Sequence, residues 1–208
     1  MLLDLVKLKD KYNMGIKGVY HIGAHFGQEN GVYKTLKVEN KIFFEPLIHT
    51  YNKLVKNLNG DGICVNTALG SKVGKVEMFV ESANQGMSSS ILQPELHTLQ
   101  YPHIKFEGKL EVNITTLDTH VKSEGIDVSN FNFINIDVQG YELEVFKGAK
   151  ETLNSIDYIM TEVNRDEVYS GCARIEELDN FLSGYGFERV ETTWDGHTWG
   201  DALYIKCK

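Results

Sequence analysis

Short apolar runs alternate along this chain with stretches whose apolar residues recur every three or four positions. A short apolar run or an alternation of period two is typical of a strand, whereas the longer spacing is typical of a helix. The runs predict strands at 18–23, 41–45, 62–70, 71–82, 109–117, 131–138 and 157–163. The helical spacing predicts helices at 28–38, 47–58, 141–153 and 174–184.

Repeated strand–helix units predict an α/β fold, a three-layer sandwich in which a mainly parallel sheet lies between helices. The segment 187–207 predicts two further strands joined by a turn at Asp195-Gly196, which close the sheet with an antiparallel edge. Ligands of such sheets bind beyond the carboxyl ends of the strands. We therefore expect the chemistry of this protein immediately after its strands.

The length of 208 residues suits a single domain over 1–208. Residues 1–17 predict an amphipathic helical extension, which is also a candidate homodimer contact. The segment 81–108 is rich in polar residues, holds two prolines and lacks a sustained period. A loop of this length in a compact domain is usually functional, so we expect it to form a substrate-binding lid.

The formal net charge of -8 is divided unevenly, with 13 basic and 10 acidic residues in 1–110 and 8 basic and 19 acidic residues in 111–208. Binding to a phosphate backbone needs clustered Lys and Arg, and the chain has no basic run, so a nucleic-acid partner is disfavoured. No apolar run reaches the ~18–20 residues of a membrane span. The three cysteines form no CxxC pair, and together these features predict a cytoplasmic protein.

The end of the first predicted strand carries Gly23 and Gly27, which allow a backbone turn to approach a ligand closely. The spacing is GxxxG, whereas a dinucleotide fingerprint would be GxGxxG. Glu45 ends the second predicted strand, where an acid accepts hydrogen bonds from ribose hydroxyls. A plain tight turn and a helix-terminal acid are the alternatives. A nucleoside without a pyrophosphate fits this pattern, and S-adenosylmethionine is the candidate cofactor.

Seven short motifs occur in order over about residues 18–165: Gly23-Ala24-His25-Phe26-Gly27, Phe44-Glu45-Pro46, Asn66-Thr67-Ala68-Leu69-Gly70, Ser88-Ser89-Ser90, Thr116-Leu117-Asp118, Asn135-Ile136-Asp137-Val138-Gln139-Gly140-Tyr141-Glu142 and Gly148-Ala149. The ordered set resembles the FkbM-type methyltransferases, and its Asp-Val-Gln-Gly-Tyr-Glu block is the most specific part. The resemblance implies a class I, Rossmann-like methyltransferase fold, S-adenosylmethionine as methyl donor, and O-methylation, often of sugars or glycosylated natural products.

The resemblance also implies which residues contact the cofactor. One feature departs from the family: His21 stands two positions before the first glycine, where the family usually has an acid. A neutral imidazole cannot favour the cofactor's ammonium group, so cofactor affinity is the property in question. The implied contacts are Gly23 and Gly27 at the methionine end, Glu45 at the ribose and Asn66-Thr67-Ala68 beside the adenine. Ala24, Pro46 and Asp137 are further candidate cofactor contacts.

Asp137 and Glu162 end two consecutive predicted strands of the parallel set, and Asn164 follows two positions later. A hydroxyl acceptor needs a general base or a metal that makes its oxygen more acidic. Two carboxylates and an amide oxygen are ligands that Mg²⁺ accepts, so these three residues are a candidate site for Mg²⁺ or another divalent cation. Metal-free acid–base catalysis by Asp137 and Glu162 is the alternative, and a purely orienting role is a third.

Histidine supplies two further candidate bases, because its ordinary pKa of ~6.5 lies near neutrality. His25 lies within the cofactor turn, where fixing the turn is its alternative role. His197 lies in the late turn that also carries two tryptophans.

Aromatic faces pack well against the C–H faces of sugars, which makes Trp194 and Trp199 candidate acceptor contacts. Packing that covers the edge of the sheet is the alternative for both. Ser89 in the lid segment and Asp201 in the closing strand complete the candidate acceptor residues.

The sequence thus predicts an S-adenosylmethionine-dependent O-methyltransferase that acts on a sugar hydroxyl of a glycan or glycoconjugate. A non-sugar small-molecule hydroxyl is the alternative acceptor. A catalytically silent Rossmann-like binding module is the non-enzymatic alternative, and His21 is its best support. A nicotinamide oxidoreductase is disfavoured because the tighter GxGxxG turn is missing from the sequence.

Overall fold

The computed structural model describes residues 2–207, and its centre is a seven-stranded sheet. The strands of the chain are β1 (Gly18–Ile22), β2 (Asn40–Phe44), β3 (Ile63–Val65), β4 (Ala68–Leu69), β5 (Gly74–Glu81), β6 (Phe106–Thr115), β7 (Phe133–Ile136), β8 (Tyr158–Asn164), β9 (Phe187–Trp194) and β10 (Trp199–Lys206). The order in the large sheet is β3-β2-β1-β7-β8-β10-β9. The first five run parallel, and β10 pairs antiparallel with both β8 and β9. The predicted α/β class with an antiparallel edge is confirmed.

Helices cover both faces of this sheet because each strand sends alternate side chains into two separate cores. In β2, Phe43 packs in one core with Leu54, whereas Ile42 and Phe44 pack in the other with Val145. The first core also receives α1, α2 and α3, and the second receives α5, α6 and α7. The helices are α1 (Leu5–Tyr12), α2 (Asn30–Thr35), α3 (Ile48–Leu58), α4 (Leu96–Gln100), α5 (Leu117–Ser123), α6 (Glu142–Lys147) and α7 (Ile175–Ser183).

The prediction of one strand over 62–70 is wrong, because the segment divides between two sheets. β3 pairs with β2 in the large sheet, whereas β4 joins β5 and β6 in a separate three-stranded sheet. The chain leaves the first sheet at Asn66, whose amide donates to the carbonyls of Glu45 and Pro46, both at 2.9 Å. This diversion brings Ala68 next to the carboxyl end of the large sheet.

The irregular segment predicted over 81–108 is shorter in the structure, since β5 ends at 81, β6 begins at 106 and α4 lies between them. Its start is folded around the buried carboxylate of Glu81, which accepts hydrogen bonds from the backbone N–H groups of Asn84, Gly86 and Ser88. We call residues 82–105 the lid segment.

The predicted N-terminal helix is present as α1, whose Leu5 and Leu8 are buried in the first core. The segment before it is held by Asp201, whose carboxylate accepts hydrogen bonds from the backbone N–H groups of Leu2 and Leu3. Within residues 2–207, every helix is too short or too polar to cross a lipid bilayer.

The ends of β1 and β7 approach closely at Gly23. The backbone N–H of Asp137 donates to the carbonyl of Ile22 at 3.1 Å, which places the two strand ends side by side. A Cβ on Gly23 would lie 1.9 Å from the Asp137 carbonyl oxygen, and the residue has a φ of 77°. Only glycine fits this position without moving one of the strands.

We expect Gly23→Ala to lower the free energy of unfolding by about 1–3 kcal/mol, because the added methyl group overpacks the junction of β1 and β7. Gly31→Ala is the matched control, since nothing lies within 4 Å of its Cβ position in α2. The control should raise stability by ~0.5–1 kcal/mol, the usual gain for alanine in a helix. Urea unfolding measures both, and equal stability of Gly23→Ala and the unmodified protein would contradict the close approach.

Candidate active site

A cavity of about 630 Å³ opens at the carboxyl ends of β1, β2, β7 and β8. This is the edge at which the parallel sheet was expected to bind its ligand. The lid segment and the start of the second sheet complete its wall. The residues that line the cavity include His21, Gly23, Ala24, His25, Glu29, Glu45, Pro46, Thr67, Ala68, Leu69, Ser88, Ser89, His97, Tyr101, Asp137, Gln139, Glu162, Tyr169 and Trp199.

The turn after β1 lies on the cavity wall through Gly23 and Ala24 but not through Gly27. The backbone N–H groups of Gly23 and Ala24 donate to the Phe44 carbonyl at 3.1 and 3.0 Å. Gly27 also has a positive φ, and its Cβ position lies 2.8 Å from a methyl carbon of Leu54 in α3. Gly27 therefore permits helix packing, and its predicted contact with the cofactor gains no support from its position.

Glu45 follows β2 directly, with its side chain buried on the cavity wall. Its two carboxylate oxygens accept hydrogen bonds from the backbone N–H groups of His25 at 3.0 Å and Leu47 at 2.9 Å. Burial raises the pKa of Glu45 to about 7, although these two donors favour the ionised form. The carboxylate is thus fixed in direction, and each oxygen keeps a lone pair for a ligand hydroxyl.

The segment after β3 contributes Thr67, Ala68 and Leu69 to the wall. Asn66 lies behind them, where its amide is already engaged with the carbonyls of Glu45 and Pro46. In the described part of the chain, the cavity wall includes Ala68 and Pro46 but not Asn66. Asn66 therefore fixes the path of the chain, and its predicted contact with adenine stays a prediction.

The opposite flank of the cavity brings Asp137 and Glu162 together through the side chain of Gln139. Its Nε2 donates to Asp137 at 2.7 Å and to Glu162 at 2.8 Å. Gln139 has a φ of 56°, an uncommon value for a residue with a side chain. Tyr169 donates from its hydroxyl to Gln139 Oε1 at 2.7 Å, and Ser90 donates to the Gln139 carbonyl at 2.7 Å. The bridging amide is held from both of its ends.

Burial and like charges raise the pKa values of the acids in this group. The pKa of Glu162 lies well above its ordinary range because the side chain is buried and faces Asp137 and Glu142. The pKa of Glu142 is raised to about 7 for the same two reasons. Two carboxylates that meet at one amide repel each other, and this repulsion adds to the effect of burial on the pKa of Glu162.

The predicted metal ligands lie close together, but an amide NH₂ group lies between the two carboxyl groups, whereas Oδ1 of Asn164 is buried without a hydrogen-bond partner among the described residues. Gln139 occupies the position between Asp137 and Glu162, and Asn164 faces Glu162 with its amide nitrogen at 3.5 Å. Across residues 2–207, no group of three or more His, Cys, Asp or Glu side chains is arranged to hold a metal ion. This donor set does not fit a divalent cation, and the metal site stays a prediction without support here.

The two candidate histidine bases have different surroundings. His25 lies on the cavity wall, where its Nε2 contacts the Gln85 carbonyl at 2.9 Å and its Nδ1 contacts the Gln28 amide at 2.8 Å. Both nitrogens are occupied, so His25 attaches the lid segment to the cofactor turn. His197 is exposed on the turn between β9 and β10 and lies outside the wall formed by the described residues.

Of the predicted acceptor contacts, Ser89 and Trp199 lie on the wall, and Trp194 and Asp201 do not in the part of the chain that the structure describes. The ring of Trp194 is covered by the guanidinium of Arg165 at 3.7 Å, so its face is not free for a sugar. The Asp201 carboxylate binds backbone N–H groups of the N-terminal segment. Both therefore support the closing edge of the sheet.

Several residues of the wall were not predicted from the sequence. Tyr101 joins the lid segment to the late turn, because its hydroxyl donates to Asp195 at 2.7 Å and accepts from Trp199 Nε1 at 2.9 Å. His97 is buried, and its Nδ1 has no hydrogen-bond partner among the described residues. For Gln139, the sequence held one signal: the residue lies within the specific Asp137–Glu142 motif and precedes a glycine just after a predicted strand.

The chain is similar in sequence to known methyltransferases. The "Methyltransferase FkbM domain" matches residues 21–189. The "2-O-methyltransferase NoeI" of Sinorhizobium fredii is 36% identical over 176 residues, which are 80% of this chain and 71% of that protein. The "Hexuronic acid methyltransferase AglP" of Haloferax volcanii is 25% identical over 149 residues, 70% of this chain and 55% of that protein.

A crystal structure of a SAM-dependent methyltransferase from Aquifex aeolicus has the same fold, with a TM-score of 0.53, 11% sequence identity, and coverage of 99% of this chain and 91% of that one. The predicted class I methyltransferase fold is confirmed. The expectation of an S-adenosylmethionine-dependent enzyme is confirmed at the level of the family. With the family match over residues 21–189 and the 36% identical relative, the chain belongs to the FkbM methyltransferase family.

Proposed function

We propose that this protein transfers a methyl group from S-adenosylmethionine to a sugar hydroxyl of a glycan or glycoconjugate. The observation that carries the proposal is one cavity with Glu45 and Ala68 on one flank and the Asp137–Gln139–Glu162 group on the other. The names of the two relatives add support, since one is a 2-O-methyltransferase and the other methylates a hexuronic acid.

The donor would occupy the half of the cavity formed by β1 and β2. Glu45 would accept hydrogen bonds from the ribose hydroxyls, because its carboxylate is already oriented by the N–H groups of His25 and Leu47. Gly23 and Ala24 would allow the methionine end to approach the backbone, with Pro46 along the ribose. Ala68 would lie beside the adenine.

The acceptor hydroxyl would approach the donor methyl beside Asp137. In the transfer, the bond from sulfur to the methyl carbon breaks, a bond from the acceptor oxygen to that carbon forms, and the sulfur keeps the electron pair. The hydroxyl proton would pass to Asp137, which acts as the general base. Gln139 orients both carboxyl groups.

The acceptor would lie under the lid segment. Trp199 offers an aromatic face for the C–H groups of a sugar ring, and Ser89 offers a hydroxyl. Tyr101 and His25 would hold the lid segment closed, since Tyr101 of the lid contacts Asp195 and Trp199 of the late turn, and His25 of the cofactor turn contacts Gln85 of the lid. A closed lid excludes water from the donor during the transfer.

Other features of this proposal rest on the sequence. A single domain over residues 1–208, a cytoplasmic location and a homodimer through the N-terminal helix stay predictions. The lack of a nucleic-acid partner also stays a prediction, which rests on the absence of a basic run from the sequence.

The acceptor class is tested by mass spectrometry of neutral sugars, hexuronic-acid oligosaccharides and catechol incubated with isotopically labelled S-adenosylmethionine. We expect a labelled methyl group on a sugar hydroxyl. Transfer to catechol alone would favour the non-sugar alternative. Donor binding without transfer to any acceptor would favour the silent binding module.

With an acceptor in hand, we expect Asp137→Asn to lower kcat by about 10²- to 10⁴-fold, the usual contribution of a general base. Affinity for S-adenosylhomocysteine should be much less affected, because the amide keeps the size of the carboxylate. Glu107→Gln is the control, since Glu107 is an exposed acid on β6 and should keep full activity. Turnover by Asp137→Asn at the unmodified rate would exclude Asp137 as the base.

The buried acids also predict a pH-dependent stability. The pKa of Glu142 is raised to about 7 in the folded protein from an ordinary 4.5, so folding is penalised once the side chain must ionise. The free energy of unfolding should therefore fall as the pH rises from about 4.5 to about 7.

Glu142→Gln should reduce this fall by about 3 kcal/mol, because the amide cannot ionise and its Oε1 can still accept from the N–H groups of Val138 and Gly140. Urea unfolding at a series of pH values measures the effect, with Glu107→Gln expected to keep the original profile. An unchanged profile in Glu142→Gln would contradict the assignment.

A further inference from the structure

Among the residues that the structure describes, Glu29 differs from the other acids on the cavity wall because its carboxylate accepts no hydrogen bond. Glu45 receives two backbone N–H groups, and Asp137 and Glu162 share the amide of Gln139. The Glu29 carboxylate faces Nε2 of His21 at 3.8 Å, which is too far for a hydrogen bond. Its side chain is 29% exposed, so a ligand in the cavity can reach it.

His21 does not neutralise Glu29. Burial lowers the pKa of the His21 imidazole, so the ring is neutral near pH 7. The amide of Asn135 donates to the Tyr33 hydroxyl at 2.6 Å, which leaves the Tyr33 proton to donate to His21 Nδ1 at 3.2 Å. The ring hydrogen is then on Nε2, directed toward the Glu29 carboxylate. The buried hydrogen bonds from Asn135 through Tyr33 to His21 therefore direct the Nε2–H group of His21 toward the Glu29 carboxylate. The negative charge of that carboxylate is not balanced by His21.

The position of Glu29 identifies the kind of cation. It lies on the same cavity wall as His21, Gly23 and Ala24, at the turn assigned above to the methionine end of the donor. That end carries an ammonium group with three N–H donors. A carboxylate that is partly shielded from water binds such a group by charge-assisted hydrogen bonds, which are about twice as strong as neutral ones.

We propose that Glu29, held beside the neutral imidazole of His21, binds the ammonium group of the methyl donor. Glu29 then supplies the negative charge that His21 cannot supply from its own position. This inference rests on the proposed function, since it assumes that S-adenosylmethionine occupies the cavity. It also gives a reason why a histidine at position 21 is compatible with binding of the donor.

Calorimetry with two ligands tests the assignment. S-adenosylhomocysteine carries the ammonium group, whereas 5′-methylthioadenosine keeps the nucleoside and lacks the amino-acid end. We expect Glu29→Gln to raise the Kd of S-adenosylhomocysteine by about tenfold or more, in line with loss of a charged hydrogen-bond partner. The Kd of 5′-methylthioadenosine should not change, and this unchanged value also reports that the variant is folded.

Glu39→Gln is the matched control, because Glu39 is an exposed acid in the segment after α2 and should leave both affinities as they are. Glu29→Gln with unchanged affinity for S-adenosylhomocysteine would overturn the inference, and so would an equal loss for both ligands. If the unmodified protein binds neither ligand, the proposed function fails and the inference fails with it. Binding of both ligands by the unmodified protein separates the two cases.

Discussion

The contact between the ends of β1 and β7 fixes the geometry on which the rest of the site depends. Because Gly23 has no side chain, the turn after β1 passes close to the backbone carbonyl of Asp137. The donor-binding turn and the proposed base are thereby held by adjacent strands of one rigid sheet. Methyl transfer requires the acceptor oxygen in line with the methyl group, and much of its acceleration comes from such positioning. A larger residue at position 23 would push the turn after β1 away from Asp137.

The Gln139 amide allows two acids of the cavity wall, Asp137 and Glu162, to lie close together. An isolated buried carboxylate is costly, and two of them repel each other. Here one NH₂ group donates to both carboxyl groups, and Tyr169 fixes the other end of the amide. Burial and the neighbouring acids raise the pKa of Glu162, which favours its neutral form and lessens the repulsion. The Gln139 amide fixes the orientation of both carboxyl groups.

The sequence was sufficient to locate Glu45, Asp137 and Glu162, because each follows a distinct apolar run and parallel strands present their carboxyl ends at one edge. It was not sufficient for side chains whose surroundings come from distant parts of the chain. Trp194 is covered by Arg165 across the turn, and the carboxylate of Asp201 is taken up by the N-terminal segment. Periodicity places such residues on a strand without indicating what will contact them.

The role of Gln139 was hidden for a different reason. It depends on a backbone φ of 56° and on Tyr169, which is 30 positions later in the chain. Neither is encoded in a local pattern of apolar and polar residues. The division of the segment 62–70 between two sheets also depends on contacts with a distant part of the chain. Asn66 donates hydrogen bonds to the carbonyls of Glu45 and Pro46, and the chain leaves the large sheet at this residue.

The four acidic residues on the cavity wall complement the positive charge of the proposed ligand. Glu29, Glu45, Asp137 and Glu162 line the cavity, and the donor proposed to bind there carries a positive sulfonium and a positive ammonium group. Binding of such a donor offsets the penalty of burying acids, so affinity and stability are linked. After transfer, the sulfur is neutral and the acceptor proton resides on the acid pair. Both changes would weaken the electrostatic attraction between the cavity and the demethylated donor. The acidic cavity would therefore favour release of this product and binding of a new donor molecule.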